Sequence, residues 1–323
     1  MSSEKLTVGI AGYGIVGNRR RQFIDSHPKL KTVAVCDQKY PEPFVMSDGV
    51  KAFSNYHQLL EEKLDVLFVS LPNYRAAEVT IAGLKKGLHV FCEKPPGRDV
   101  ADVKRVIEVE SLSPNLLLKY GFNHRYHESA KKALSVIKSG ELGEIVNIRG
   151  VYGKSKIIPF SGGWRAERKY SGGGILLDQG IHMVDLMRLF CSEFVDVKSY
   201  VSNSYWKHDV EDNVFAIMKD AKGRIAMLHS TATQWQHKFK LDIAFTEGYI
   251  ELSGILSGSK SYGQEQLTIG KRDEADVGTL SEETITYLED NSWRDEIYEF
   301  ADAITKGGEI KHGNSEDALA TMK

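Results

Sequence analysis

Residues 7–25, TVGIAGYGIVGNRRRQFID, open the chain with a strand, a glycine turn and a helix. Residues 7–11 are a short apolar run rich in β-branched side chains, and Gly12-Tyr13-Gly14-Ile15-Val16-Gly17 follows with the spacing GxGxxG. Gly12 permits the tight turn, Gly14 lets a pyrophosphate approach the backbone, and Gly17 lets the helix pack closely on the strand. The helix start around Ile15 and Val16 then offers N–H groups and a positive dipole end to phosphates. A second apolar run, residues 32–36, ends in Asp37, twenty residues past Gly17. An acidic side chain at that place grips the adenine ribose hydroxyls. The pattern predicts a dinucleotide site rather than a plain surface loop. Asp37 favours NAD, because its charge repels a 2′-phosphate. Lys39 and the run Arg19–Arg21 leave NADP open, although the arginine run reads first as a solvated helix face.

A chain of 323 residues predicts two domains. We expect an NAD(P)-binding Rossmann domain over residues 1–122 and a substrate-binding and oligomerisation domain over 123–323. In the first, apolar runs at 7–11, 32–36, 66–71, 89–92 and 116–120, with a short one at 50–53, alternate with helical patterns near 16–25, 56–62, 75–86 and 101–111. Alternating β and α implies a doubly wound parallel sheet whose ligand binds at the carboxyl ends of the strands. Beyond residue 123 the pattern changes. A helix over 128–139 is followed by strand patterns at 144–151, 195–203, 213–219, 224–231, 240–245 and 249–252, with one long helix over 175–190. That predicts an α/β domain with an open, mostly antiparallel sheet. Residues 254–283, rich in Gly, Ser and charge, read as loops with weak strands, and a helix follows over 293–306. The sequence stops inside a further helical pattern, as a truncated C-terminus would.

Composition narrows the function classes. A net charge of −2 gives no case for nucleic acid or a membrane surface. No apolar run approaches the about 20 residues that cross a bilayer, and MSSEK lacks the apolar stretch of a signal peptide. The three cysteines, Cys36, Cys92 and Cys191, are odd in number and widely spaced, which points to a reducing, cytoplasmic setting without disulfides. Their plainest role is as small buried apolar groups. No His or Cys cluster completes a metal site.

Two segments carry chemistry. Phe91-Cys92-Glu93-Lys94-Pro95-Pro96 ends an apolar strand. Lys94 there points into the cleft, where its ammonium can bind a substrate hydroxyl and hold charge as that hydroxyl loses its proton. The prolines stiffen the backbone around it. The second segment is Gly172-Gly173-Gly174-Ile175-Leu176-Leu177-Asp178-Gln179-Gly180-Ile181-His182-Met183-Val184-Asp185. Asp178 and His182 are i and i+4 and share a helix face. The carboxylate can orient the imidazole, and His is the natural general base for an alcohol proton near neutral pH. Taken alone, each segment has a blander reading: a solvated loop lysine, and a core histidine on a helix with capping carboxylates.

Together with Gly121-Phe122-Asn123, Leu71-Pro72-Asn73, Ser139-Gly140-Glu141-Leu142-Gly143 and Val210-Glu211-Asp212-Asn213, these motifs resemble, over nearly the whole chain, the glucose–fructose oxidoreductase / inositol dehydrogenase / rhizopine-catabolism (Gfo/Idh/MocA) family. The resemblance implies reversible hydride transfer between a sugar or polyol carbon and NAD(P), with Lys94 polarising, Asp178 its companion carboxylate and His182 the general base. It also implies that Leu71, Pro72 and Asn73 flank the nicotinamide, that Glu93 lies near the nicotinamide ribose, and that the second sheet often forms an oligomer interface. Tyr74-Arg75 departs from the family's common histidine after the Asn. Gly163-Trp164-Arg165, Lys169-Tyr170-Ser171, Gln179, Leu228-His229-Ser230, Gln234-Trp235 and Asn291-Ser292-Trp293 resemble members from bacterial surface-polysaccharide pathways, which implies a sugar or nucleotide-linked sugar.

On the substrate side, Asn123 and Arg125 can hydrogen-bond hydroxyls or a phosphate. Trp164 and Arg165 offer a stacking face and a fork donor, and Tyr152 is a further candidate. For each, an interdomain polar contact is the competing reading. Other chemistries fit the same fold: glycoside cleavage with catalytic NAD, reduction of tetrapyrroles or dihydrodiols, or a ligand-sensing regulator without catalysis. Retention of both Lys94 and His182 argues for the enzyme.

Overall fold

A computed structural model describes residues 5–158, 162–257, 261–273 and 278–323. It divides into two compact units. The first holds the chain as far as Phe122, plus Lys169–Gly172 and Trp293–Lys323.

That unit begins with β1 (Leu6–Ala11), α1 (Ile15–Ser26), β2 (Leu30–Cys36), β3 (Phe44–Val45), β4 (Lys51–Phe53) and α2 (Tyr56–Leu59). It continues through β5 (Val66–Val69), α3 (Asn73–Lys85), β6 (His89–Glu93), α4 (Val100–Glu110) and β7 (Leu118–Gly121). The sheet order is β3-β4-β2-β1-β5-β6-β7. All pairs are parallel except β3 with β4. The order reverses at β1, between β2 and β5, which is the switch point where a doubly wound sheet binds its ligand. The central strands are continuous apolar runs, as strands covered on both faces must be; all four residues of β5 are buried.

The second unit covers Asn123–Arg168 and Gly173–Ser292. It contains α5 (Glu128–Ser139), β8 (Ile145–Ser155), α7 (Ile181–Phe190) and β9 (Phe194–Ser202), with the one-turn α6 (Arg168–Ser171) at the break between units. Then come β10 (Asn213–Asp220), β11 (Ile225–Gln234), β12 (Lys238–Phe245), β13 (Gly248–Ser253), β14 (Glu265–Arg272) and β15 (Leu280–Tyr287). The eight strands run β15-β14-β13-β12-β8-β11-β10-β9, antiparallel except for β8 with β11. One face carries α5 and α7 over a core that includes Ile148, Met183, Met187, Leu228, Leu241 and Leu267.

Three expectations need correction. Residues 254–283, expected as loops with weak strands, hold all of β14 and the first half of β15, both regular eight-residue strands. β14 pairs antiparallel with its sequence neighbours β13 and β15, and that cross-strand pairing, not local propensity, sets them as strands. The stretch 175–190 is not one α-helix: Leu176–Gly180 is a π-helical turn that runs into α7. Finally, residues 293–323 do not belong with the second domain. In α8 (Ser292–Lys306), Ile297, Phe300 and Ala301 pack with Val8, Ile10, Phe68 and Phe91 of the first unit. Phe300 meets the rings of Phe68 and Phe91 at 6.1 and 5.7 Å. α9 (Ser315–Met322) joins the same unit.

Candidate active site

The glycine turn is built as its spacing predicts. Gly12 sits at φ +91°, where a Cβ would lie 2.3 Å from the Ser70 carbonyl. A Cβ on Gly17 would lie 2.0 Å from the Gly12 carbonyl, so helix and strand could not close up around any other residue. Beside Gly14 there is open space. No side chain caps α1 at Gly14, so its first N–H groups face an open cavity of about 630 Å³, which Tyr13, Gly14, Ile15, Asn18, Arg19, Gln22 and Lys39 line. Asp37 ends β2 and is fixed from both sides, accepting Tyr13 N–H at 3.1 Å and Lys39 N–H at 3.0 Å. The Lys39 ammonium bonds the Tyr13 carbonyl at 2.7 Å. An uncapped helix start, an open glycine and a held carboxylate fit a dinucleotide: α1 would take the pyrophosphate and Asp37 the ribose hydroxyls.

The arginine run is not a solvated face. Arg21 bonds the Tyr13 hydroxyl at 3.0 Å and pairs with Asp25 and Asp48. Arg20 is fully buried between the rings of Phe91 and Trp293, 4.5 and 4.3 Å from their centres. It donates to Glu93 at 2.5 Å and lies 2.8 Å from Glu296 of α8. Glu93, which the resemblance sets near the nicotinamide ribose, is thus the end of β6 held in an ion-paired cluster. Lys94 follows it, half-buried, with Pro95 and Pro96 buried behind and a cis Lys94–Pro95 peptide. Leu71 and Pro72 precede α3, and Asn73 opens it, donating to the Ser171 carbonyl at 2.7 Å.

In the second unit the triple glycine makes room for backbone. A Cβ on Gly174 would sit 2.1 Å from the Glu211 carbonyl. The Glu211 carboxylate accepts Gly174 N–H at 2.7 Å and Leu176 N–H at 3.3 Å, capping the helical segment across space. At its other end Gly180 lies against Ser230 of β11, which bonds the Ile175 carbonyl at 3.2 Å. Between these two anchors the chain takes the wider π turn, a feature that recurs at functional sites. Asp178 lies on that turn, partly open, with Arg165 Nε 3.6 Å away. His182 follows in the first turn of α7, buried, its ring stacked on that of His124 at 3.8 Å. His124 lies within hydrogen-bond reach of Asn123 and of the Tyr152 hydroxyl, at 3.3 and 3.2 Å.

Two expected substrate residues have partners within the second unit. Arg125 is buried, and its fork grips Asp185 at 2.6 and 2.7 Å. Asn123 donates to Ser292 at 3.0 Å. Tyr152 is buried in the sheet core, and burial raises its pKa well above the phenol range. Trp164 and Arg165 form a short 3₁₀ turn in which the guanidinium covers the indole at 4.3 Å. Two residues gained no role from the sequence: Glu211, whose cap is a tertiary contact, and Lys154, whose signal was its spacing two residues from Tyr152 on one face of β8. All three cysteines are buried and unbridged, and burial pushes Cys36 and Cys92 up to about 12, so both thiols stay protonated and inert. Among the described residues no acidic or His/Cys cluster could hold a metal, and no helix is long and apolar enough to cross a membrane.

A parallel nucleotide-binding sheet and an open mixed sheet carrying a histidine-bearing helix define a dinucleotide-dependent oxidoreductase. Residues 6–119 match the model of the oxidoreductase family with an NAD-binding Rossmann fold, and residues 130–251 match the GFO/IDH/MocA C-terminal domain. The chain belongs to the Gfo/Idh/MocA family of NAD-binding oxidoreductases. It is 26% identical over 265 residues to an inositol 2-dehydrogenase of Salmonella typhimurium, covering 79% of this chain and 76% of that one. It is 28% identical to a D-glucoside 3-dehydrogenase of Escherichia coli, over 72% of this chain and 71% of the relative. A solved levoglucosan dehydrogenase in complex with NADH and levoglucosan shares the fold with a TM-score of 0.84 at 20% identity, over 98% of this chain and 94% of its own.

Proposed function

We propose that this protein transfers hydride between a hydroxyl-bearing carbon of a sugar or polyol and NAD. The observation that carries the reading is the buried His182, seated one helical turn after Asp178 where a π turn opens into α7. Bound NAD supplies the hydride acceptor in the oxidative direction. His182 takes the hydroxyl proton. Lys94 holds the negative charge that develops on that oxygen. Asp178 sets the charge and orientation around the imidazole. Asn73 and Pro72 at the head of α3 are assigned to the nicotinamide side, and Trp164 and Arg165 to the sugar. Buried, unbridged cysteines suit a reducing cytoplasm, and an apolar sheet face suits a homo-oligomer.

The test is NADH absorbance over a panel of sugars and polyols. The intact chain reduces NAD with at least one of them, and Lys94→Ala and His182→Ala each lower kcat by about 10²–10⁴-fold. Near wild-type turnover in both variants would refute the assignment. Glycoside cleavage without net NADH would identify a catalytic-NAD glycosidase, and binding without either would identify a regulator.

A further inference from the structure

His124 follows Asn123 in the 3₁₀ turn Asn123–Tyr126, and both are buried. Its ring lies face to face with that of His182, the centres 3.8 Å apart and the planes 12° from parallel. Both edges of the ring are engaged. Nε2 lies 3.2 Å from the Tyr152 hydroxyl, and Nδ1 lies 3.3 Å from Asn123 Oδ1. These two contacts choose the tautomer. Asn123 donates its amide nitrogen to Ser292 Oγ at 3.0 Å, and the Ser292 hydroxyl donates on to Asp290 at 2.6 Å. The amide oxygen therefore faces His124, and an amide oxygen only accepts, so Nδ1 carries a proton. Burial raises the Tyr152 pKa well above the phenol range, so that hydroxyl keeps its proton. Among the described residues its acceptor is His124 Nε2, which is therefore bare. His124 is thus a neutral Nδ1–H imidazole in the middle of a directed chain from Tyr152 to Asp290.

The group that locks this ring is itself held. Tyr152 meets Phe239 and Tyr262 edge to face, at 5.4 and 5.3 Å. The Tyr262 hydroxyl donates to Gln179 at 3.0 Å, on the π turn between Asp178 and Gly180. One aromatic cluster thus ties His124 to the turn that precedes His182. His127 meets His124 edge to face at 5.4 Å, with its own Nδ1 2.8 Å from the buried Glu265 carboxylate. All of these residues belong to the second unit. A neutral partner matters to the proton step. His182 becomes an imidazolium when it takes a proton, and a cation is attracted to the face of a neutral π ring. A second imidazolium 3.8 Å away, in a buried place, would repel it strongly.

We propose that His124 is a positioning residue for hydride transfer: a neutral plate, locked by Tyr152 and Asn123, that fixes the plane of the His182 ring and reserves the pair's one positive charge for it. The inference rests on the dehydrogenase reading and adds to it a residue that acts through the general base. Asp178 then orients the imidazole from its own helical segment, and His124 supports it from a separate element.

The test uses the full chain and has two arms. Near neutral pH, nitrogen NMR of the isotope-labelled histidines should show His124, assigned by its loss in His124→Phe, protonated at Nδ1 and bare at Nε2. Tyr152→Phe removes the phenol proton and should change that signature. An Nε2–H or doubly protonated His124 in the wild type overturns the inference, whatever the variants do. In the second arm, with the sugar or polyol that yields most NADH, His124→Ala lowers kcat by about 10- to 100-fold, the cost of a loosely held reacting group. KM for that substrate moves by less than about threefold, because the lost contact serves the proton step and not binding. His124→Phe, flat and uncharged, recovers most of the lost kcat, and both variants bind NADH as the wild type does. Wild-type kcat in His124→Ala, or equal damage in the two variants, overturns the inference and leaves the dehydrogenase standing. No NADH from the wild type with any sugar or polyol overturns the dehydrogenase reading itself.

Discussion

Arg20 is a fully buried guanidinium shared by two carboxylates, Glu93 at the end of β6 and Glu296 on α8. Removing it strands both, and an uncompensated buried charge costs about 3–5 kcal/mol. Arg20→Met is therefore expected to lose stability on that order, read by urea denaturation. Glu296 behaves differently. Burial pushes its pKa up to about 7, against the pull of Arg20 and Lys119, from an unfolded value near 4.5. A carboxylic acid that keeps its proton longer in the fold makes folding less favourable as pH climbs through that window. The stability of the wild type is expected to carry a component that falls between about pH 4.5 and 7. Glu296→Gln removes that component, and Tm measured across the window should flatten; an unchanged slope would assign it to another group. None of this cluster was legible in the sequence. Three arginines in a row on a helix look solvated, and the partners come from a distant strand and the far end of the chain. Glycines are the opposite case. Gly17 is dictated by the Gly12 carbonyl inside the same turn and Gly12 by its left-handed backbone, so their spacing is readable from the sequence.

Elements whose cause is local were readable; elements set by a remote contact were not. The βα alternation of the first unit follows from apolar runs separated by amphipathic stretches, and it emerged nearly strand for strand. The helix over 175–190 was legible as a helix but not as a π turn followed by α7. That distinction depends on Glu211 holding one end and on Ser230 pressing Gly180 at the other. The same dependence makes a prediction. A methyl on Gly180 would lie 2.4 Å from Ser230 Oγ and 2.8 Å from its Cβ. Neither is a far end of a flexible chain, so the helix must shift. Gly180→Ala is expected to cost about 1–3 kcal/mol through overpacking. It is also expected to lower kcat more than tenfold, because Asp178 and His182 flank the displaced residue. A variant with lowered Tm but wild-type kcat would show that the π turn does not place these groups.

At the scale of the whole molecule, the second sheet has helices on one face only, and its other face is divided. On β12 and β13 that face is charged and paired, with Lys240 bridging Asp242 and Glu251. On β9 to β11 it is mixed, with apolar residues on β10 and β11 and charge at its margin. Cross-strand register aligns Tyr200, Phe215 and His229 in one row, Lys198, Ile217 and Met227 in the next, and Asp196, Lys219 and Ile225 in a third. Phe215, Ile217, Ile225 and Met227 are all exposed, and Phe215 stacks on His229 at 3.9 Å. Contiguous apolar patches of this kind are rare on monomers, and a two-fold axis lets one patch cover its own copy. A second copy of this chain, seated on the β9–β11 half, is the occupant we expect. Sedimentation should then give a mass that is a multiple of 36.2 kDa. Phe215→Lys combined with Ile217→Lys should drive it to a single chain, because like charges would be buried in symmetric pairs. Both side chains point away from the helix-covered core, so the double variant should keep its fold by circular dichroism. A wild type that sediments as one chain at micromolar concentration would leave this face without its proposed partner.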